Sequence, residues 1–185
     1  MEKFLLNKEN TALLIVDIQD RLAAAMKDKV REDVIKNCLN LIALSKMISI
    51  PIILTEQYPK GLGQTVAEIK EALAEYKPIE KIAFNCCYEQ NFLDEIKKLN
   101  KKTILLTGME THICVLQTCA GLLQEGYYVH LVRDAVCSRL KENWKTGIEF
   151  MRDAGAVITC TETVLFQLLK VAGTEEFKAI SKRIK

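Results

Sequence analysis

The chain has 185 residues, 49% hydrophobic and 27% charged, which is enough for one domain with a core and excludes a wholly disordered chain. Lys plus Arg total 26 against 24 for Asp plus Glu, so the formal net charge is only +2 and no basic patch points to nucleic acid. The seven cysteines are odd in number and show no C-x-x-C spacing, which excludes a fully paired disulfide framework and suits free thiols in a reducing compartment.

Residues 1–9 contain no long apolar run and no small-residue cleavage site, so no secretory signal is read there and a cytoplasmic protein is expected. The first predicted strand covers 12–16 and ends at Asp17, which is followed by the polar-rich Ile18, Gln19, Asp20 and Arg21. A helix is predicted over 31–48 and a strand over 51–55. The apolar stretch 38–55 is interrupted by Asn40, Lys46 and Pro51, so it reads as a buried helix and strand, not a membrane span. Gly61 and Gly63 flank Leu62 in a flexible surface or active-site loop. Residues 76–84, with Pro78 and mixed polarity, suggest a short edge strand.

The second half alternates regularly. A helix over 88–99 precedes a strand over 103–107, and a helix over 113–124 precedes a strand over 127–132. Helix 142–153, strand 156–159 and helix 163–169 follow, and the lysine-rich 178–185 reads as a solvated helix face. Gly126 and Gly155 stand where left-handed caps would end helices. Continuous apolar strands separated by helices indicate a parallel sheet covered on both faces, that is, a doubly wound α/β domain. Ligands of such sheets sit beyond the carboxyl ends of the strands, where strand order reverses.

Candidate chemistry therefore belongs at the strand ends. Asp17 can either cap the turn after its strand or act on a ligand. Cys114 falls in the first turn of a helix starting near Thr111, where free N–H groups and the helix dipole are expected to lower its pKa and to stabilise an oxyanion; the alternative is a core thiol. Lys81 is one of 26 basic residues and gains meaning only beside a carboxylate and a thiol. Cys86 and Cys87 read as packing thiols, since neighbours in sequence seldom make a useful disulfide and no second cluster completes a metal site. Of the two histidines, His130 lies mid-strand and reads as structural, while His112 can line a pocket. Trp144 can be core or interface. Phosphate-loop, dinucleotide, serine-hydrolase and zincin motifs are all missing.

Three segments together resemble a known family. Leu13-Leu-Ile-Val-Asp17-Ile-Gln19, then Glu80-Lys81 with Phe84, then Gly108-Met-Glu110-Thr-His-Ile-Cys114-Val look like the isochorismatase-like cysteine hydrolases, over roughly 11–163. Residues 55–63 further resemble the isochorismatase domain-containing subgroup. The resemblance implies a three-layer fold with a six-stranded parallel sheet in the order 3-2-1-4-5-6. It also implies an Asp17, Lys81, Cys114 triad, a cis peptide before Glu110, an oxyanion hole from the N–H groups of Glu110 and Cys114, and a homo-oligomer. Nicotinamidases of this superfamily hold a metal after the second strand, but 55–64 contain no Asp or His, so no metal and no cofactor are expected. The reading is a cysteine hydrolase of a small amide-like substrate, with a catalytically idle binding or assembly module as the alternative. Gln19, Leu22, Tyr58, Phe84, Thr111 and His112 are the candidate pocket residues.

Overall fold

The protein is represented by a computed structural model that describes residues 1–184. In chain order the elements are β1 (Thr11–Val16), α1 (Asp20–Ala24), α2 (Asp28–Met47), β2 (Ile52–Gln57), α3 (Pro59–Leu62), α4 (Ala67–Ala72) and β3 (Ile79–Lys81). They continue with α5 (Gln90–Lys98), β4 (Thr103–Met109), a π-helical turn (Thr111–Val115), α6 (Leu116–Gln124) and β5 (Tyr128–Cys137). The chain then runs through α7 (Lys141–Asp153), β6 (Val157–Thr159), α8 (Thr161–Leu169) and α9 (Glu175–Ile184).

The strands form one parallel sheet in the order β3-β2-β1-β4-β5-β6. Every residue of β1 and β4 is buried, which is why both read as unbroken apolar runs. Along β1, Leu13 and Ile15 face a core shared with Val34, Cys38 and Leu41 of α2, Val164 and Leu165 of α8, and Ile180 of α9. Leu14 and Val16 face the other layer, against Phe92 and Ile96 of α5, Cys119 and Leu122 of α6, and Met151 of α7. The period-two alternation of a strand thus feeds two cores with one short sequence. No helix among the described residues is long and apolar enough to cross a membrane.

Three expectations are adjusted. Strand β5 runs on to Cys137: its pairing with β4 jumps from Leu106↔Leu131 to Gly108↔Val136, so that Val132 to Ala135 stand opposite Thr107 alone without ending the strand. The loop around Gly61 and Gly63 is not free: it contains α3, and Arg21 Nη1 donates to the Gly61 carbonyl at 2.7 Å. Helices α1 and α4, short and without a sustained apolar period, fall in stretches to which the sequence reading assigns no element. Gly126 and Gly155 do take positive φ, 82° and 109°, after α6 and α7.

Candidate active site

Strand β1 lies between β2 and β4, with Val16 paired to both Thr55 and Gly108. Asp17 therefore emerges at the reversal of strand order, between two strand ends. Its backbone is turned sharply, at φ 52°, and its N–H donates to the Thr55 carbonyl at 3.2 Å. The side chain is fully buried: Thr55 Oγ1 donates to Oδ1 at 2.7 Å, and Lys81 Nζ lies 2.7 Å from Oδ2.

Lys81 ends β3, and its register opposite Gln57 brings it to the same spot. Its ammonium also donates to Gln57 Oε1 at 2.7 Å and to the carbonyls of Ala83 and Phe84 at 3.2 and 3.4 Å. An ammonium has three protons. The carboxylate, the amide and the paired carbonyls take all of them, so Lys81 acts as an anchored charge.

Cys114 comes from the third direction. Gly108, at φ 126°, lets β4 pass against β1: a Cβ there would lie 2.0 Å from the Val16 carbonyl oxygen. The next peptide, Met109–Glu110, is cis, and the π-helical turn follows at once. The Glu110 carbonyl accepts from Ile113 N at 3.0 Å and Val115 N at 3.3 Å, on either side of Cys114. Cys114 is 4% exposed, and its thiol lies close enough to the Asp17 carboxylate to feel its charge.

The expectation of a thiolate stabilised by the helix start does not hold in this resting arrangement. Burial pushes the Cys114 thiol up, the Asp17 charge adds to the shift, and only Lys81 opposes both. Burial also raises Asp17 above the ordinary carboxylate range against the downward pull of Lys81 and Thr55, which makes it a stronger base than an exposed carboxylate. Lys81 is lowered by burial but carried above its usual value by Asp17. The proton thus rests on sulfur, near the buried carboxylate. Cys86 is buried beside the same group, its thiol pushed up to about 12 by burial and by Asp17. The neighbouring Cys87 is half-buried and likewise raised to about 12, mainly by burial.

The candidate pocket residues separate by position. Gln19 is fully buried, and its amide is spent on the chain: Nε2 donates to the carbonyls of Gln57 at 3.0 Å and Gly63 at 2.7 Å, and Oε1 accepts from Gln57 N at 2.7 Å. It braces the 57–63 loop. Leu22 is half-buried against the α2 side of the sheet. Tyr58 and Phe84 are 50% and 52% exposed. Thr111 is fully buried, with an Oγ1 that has no partner among the described residues. His112 is held at both nitrogens, by Ser138 Oγ at 3.0 Å and Asn143 Nδ2 at 3.2 Å. Because the Asn143 amide N–H donates, Nε2 accepts and Nδ1–H points to Ser138. His130 lies within β5, donating from Nε2 to the Lys3 carbonyl at 2.7 Å.

Several residues of this network escaped the sequence reading. Gln57 lies two positions past the predicted end of its strand, on the Lys81 side, and period-two alternation from Thr55 would have found it. Arg139 and Ser138 were hidden by the early end assigned to β5. Arg139 Nε and N donate to the buried Glu110 carboxylate at 3.0–3.1 Å, tying the end of β5 to the segment that carries Cys114. Among the described residues no group of three or more His, Cys, Asp or Glu side chains is gathered as a metal site would need.

A family model described as Isochorismatase domain matches residues 11–163. The chain is 40% identical over 177 residues to isochorismatase family protein 1A of Dictyostelium discoideum, covering 92% of this chain and 84% of that one. Its structure is similar to the MAR1 ribonuclease of Caenorhabditis elegans, with 38% identity, a TM-score of 0.89 and coverage of 97% and 92%. It also resembles YcaC from Pseudomonas aeruginosa, solved with hexane-2,5-diol and covalent acrylamide, at 26% identity and a TM-score of 0.88 over 97% and 91% of the two chains. A match across most of the chain, together with the sheet order and the strand-end residues, places this protein in the isochorismatase-like hydrolase superfamily.

Proposed function

We propose that the protein is a metal-independent cysteine hydrolase of a small amide-like substrate, working through an acyl group on Cys114. The observation that carries this reading is the buried Asp17, Lys81 and Cys114 cluster at the strand reversal, with Asp17 paired to the ammonium and its charge felt by the thiol. Asp17 takes the Cys114 proton as the sulfur attacks the carbonyl carbon, and the N–H groups of Glu110 and Cys114 receive the developing oxyanion. The C–N bond then breaks while protonated Asp17 gives its proton to the leaving nitrogen. Water enters, Asp17 takes one of its protons, and hydroxide attack releases the carboxylic acid and returns the thiol. Lys81 stays protonated throughout and keeps Asp17 in place. Covalent acrylamide on the Pseudomonas relative fits a reactive nucleophile in a related fold, since acrylamide adds to nucleophiles through its alkene.

The test is ammonia release from a panel of amides, carbamoyl compounds and ureides, with intact mass recorded in parallel. Turnover by the parent, none by a folded Cys114→Ala variant and a transient acyl mass on Cys114 are expected, and thorough chelation should leave the rate unchanged. Equal turnover by the variant would sink the mechanism. Cleavage of RNA and no amide would favour the activity named for the C. elegans relative. Ile82, Phe84 and Tyr88, 70%, 52% and 77% exposed in the segment after Lys81, are apolar surface that a homo-oligomer would cover. A one-chain mass by light scattering would refute that part.

A further inference from the structure

We propose that the cavity between the start of α2, the end of β5 and the start of α7 binds a small carboxylate- or phosphate-bearing molecule with an apolar body, at a site separate from the Asp17 and Cys114 centre. The cavity holds about 550 Å³, within the range of small-molecule sites. Its walls carry five cations, Lys27, Lys36, Arg133, Arg139 and Lys141, against two acids, Asp33 and Asp134. Both acids are already engaged. Asp33 is ion-paired to Lys29 at 2.8 Å, and Asp134 Oδ1 accepts from the N–H and hydroxyl of Thr161 at 2.8 and 2.9 Å.

Of the five cations only Arg139 has an acidic partner, Glu110; among the described residues the other four lie in no ion pair. In a chain of net charge +2 this is a strong local excess of one sign, and a concave wall of low dielectric focuses it. Arg133 is placed by an aromatic ring and not by a carboxylate: its guanidinium lies 5.4 Å from the centre of the Trp144 ring, whose N–H donates to the Arg133 carbonyl at 3.3 Å. The N–H fork of Arg133 is left for a planar anion. Val34, Val136 and the Trp144 face supply the apolar contact. Helices α2 and α7, of 20 and 13 residues, begin at the rim behind Lys27 and Leu140, neither of which caps its helix through a side chain. Their positive ends add to the same field. Arg139 and Ser138 form one edge of the cavity and also hold Glu110 and His112, so the site adjoins the Cys114 segment without sharing its reactive groups.

Trp144 is the only tryptophan in the chain and lines this cavity, so intrinsic fluorescence reports on it directly. The full-length protein is titrated at low salt with benzoate, with phenyl phosphate and with benzyl alcohol as a neutral body of similar shape. A saturable change in Trp144 emission with at least one anion is expected, about tenfold or more weaker with benzyl alcohol. The response should weaken with added salt. The Lys36→Gln/Lys141→Gln variant should lose about tenfold in affinity while melting like the parent, and Cys114→Ala should bind as the parent does. A response to benzoate alone identifies a carboxylate ligand and one to phenyl phosphate alone a phosphate ligand; either supports the site. No saturable signal with either anion, equal binding of benzyl alcohol, salt-insensitive binding or unchanged affinity in the charge variant would overturn it. Loss of binding in Cys114→Ala would move the ligand to the reactive centre, and a response only to a single-stranded RNA oligonucleotide would assign this face to nucleic acid; each also overturns the proposal.

Discussion

Lys81→Met gives the sharpest test of how the reactive centre is held together. Methionine preserves the length and apolar stem of the side chain but removes an ammonium placed 2.7 Å from Asp17 Oδ2 and 2.7 Å from Gln57 Oε1. Lys81 and Asp17 are 2% and 0% exposed, so in the resting fold bulk water does not stand in for the lost partner. Breaking one side of a buried pair costs about 3–5 kcal/mol, a large part of the roughly 5–15 kcal/mol that keeps a domain folded. The melting temperature should fall by about 6–20 °C.

The deficit must also depend on pH, with a definite sign. Burial raises Asp17 in the parent, and Lys81 works against that rise. Without Lys81 the folded-state pKa climbs further above the unfolded value near 3.8. An acid raised by folding binds more protons in the folded state, so its stabilisation is present at low pH and is lost as pH rises through the folded pKa. The gap between parent and variant should therefore be widest near neutrality and narrow as pH falls. Urea unfolding of both proteins between about pH 5 and pH 8 measures it. The double variant Asp17→Asn/Lys81→Met should recover part of the loss, because it no longer buries an unpaired charge. A deficit below about 1 kcal/mol at neutral pH, or one constant across that range, would refute the reasoning.

The same arrangement of side chains sets further expected outcomes. Because Asp17 raises Cys114 and Lys81 lowers it, Asp17→Asn should make Cys114 alkylate faster with iodoacetamide at neutral pH while removing any turnover; a slower reaction would contradict the resting-thiol assignment. In the parent, alkylation of Cys114 should climb with pH through and beyond about pH 9 without an earlier plateau, which mass-mapped rates would show. Gly108→Ala should cost about 3 kcal/mol or more, since its Cβ would sit 2.0 Å from the Val16 carbonyl in the middle of the sheet. Gly155→Ala, also at positive φ but with nothing within 4 Å, should cost only roughly 1–2 kcal/mol, and similar losses at the two sites by calorimetry would count against a steric role for Gly108.

The elements that depend on neighbouring residues were legible in the sequence. Unbroken apolar runs specify strands buried on both faces, and their alternation with helices leaves a parallel, doubly wound sheet as the consistent arrangement. Cys114 could be singled out because a thiol at a helix start is built from adjacent positions, while the backbone turn before Glu110 came only with the family resemblance. Asp17 is a candidate from its place at a strand end, whereas Lys81 could be named only through the family resemblance, since nothing local distinguishes it from other cations. What the tertiary structure decided is everything that depends on distant groups sharing one dry volume. Whether Cys114 rests as thiol or thiolate turns on a carboxylate 97 positions earlier and on burial by several elements, and the local helix-start argument pointed the wrong way. Gln19 reads as a polar pocket wall in sequence, yet its amide is consumed by Gln57 and Gly63, which only the packed loop brings within reach. The cations around Trp144 come from α2, β5 and α7, spread along a chain of nearly balanced charge. Their concentration on one hollow is a product of folding, because local propensity sets each element while long-range packing sets which charges meet.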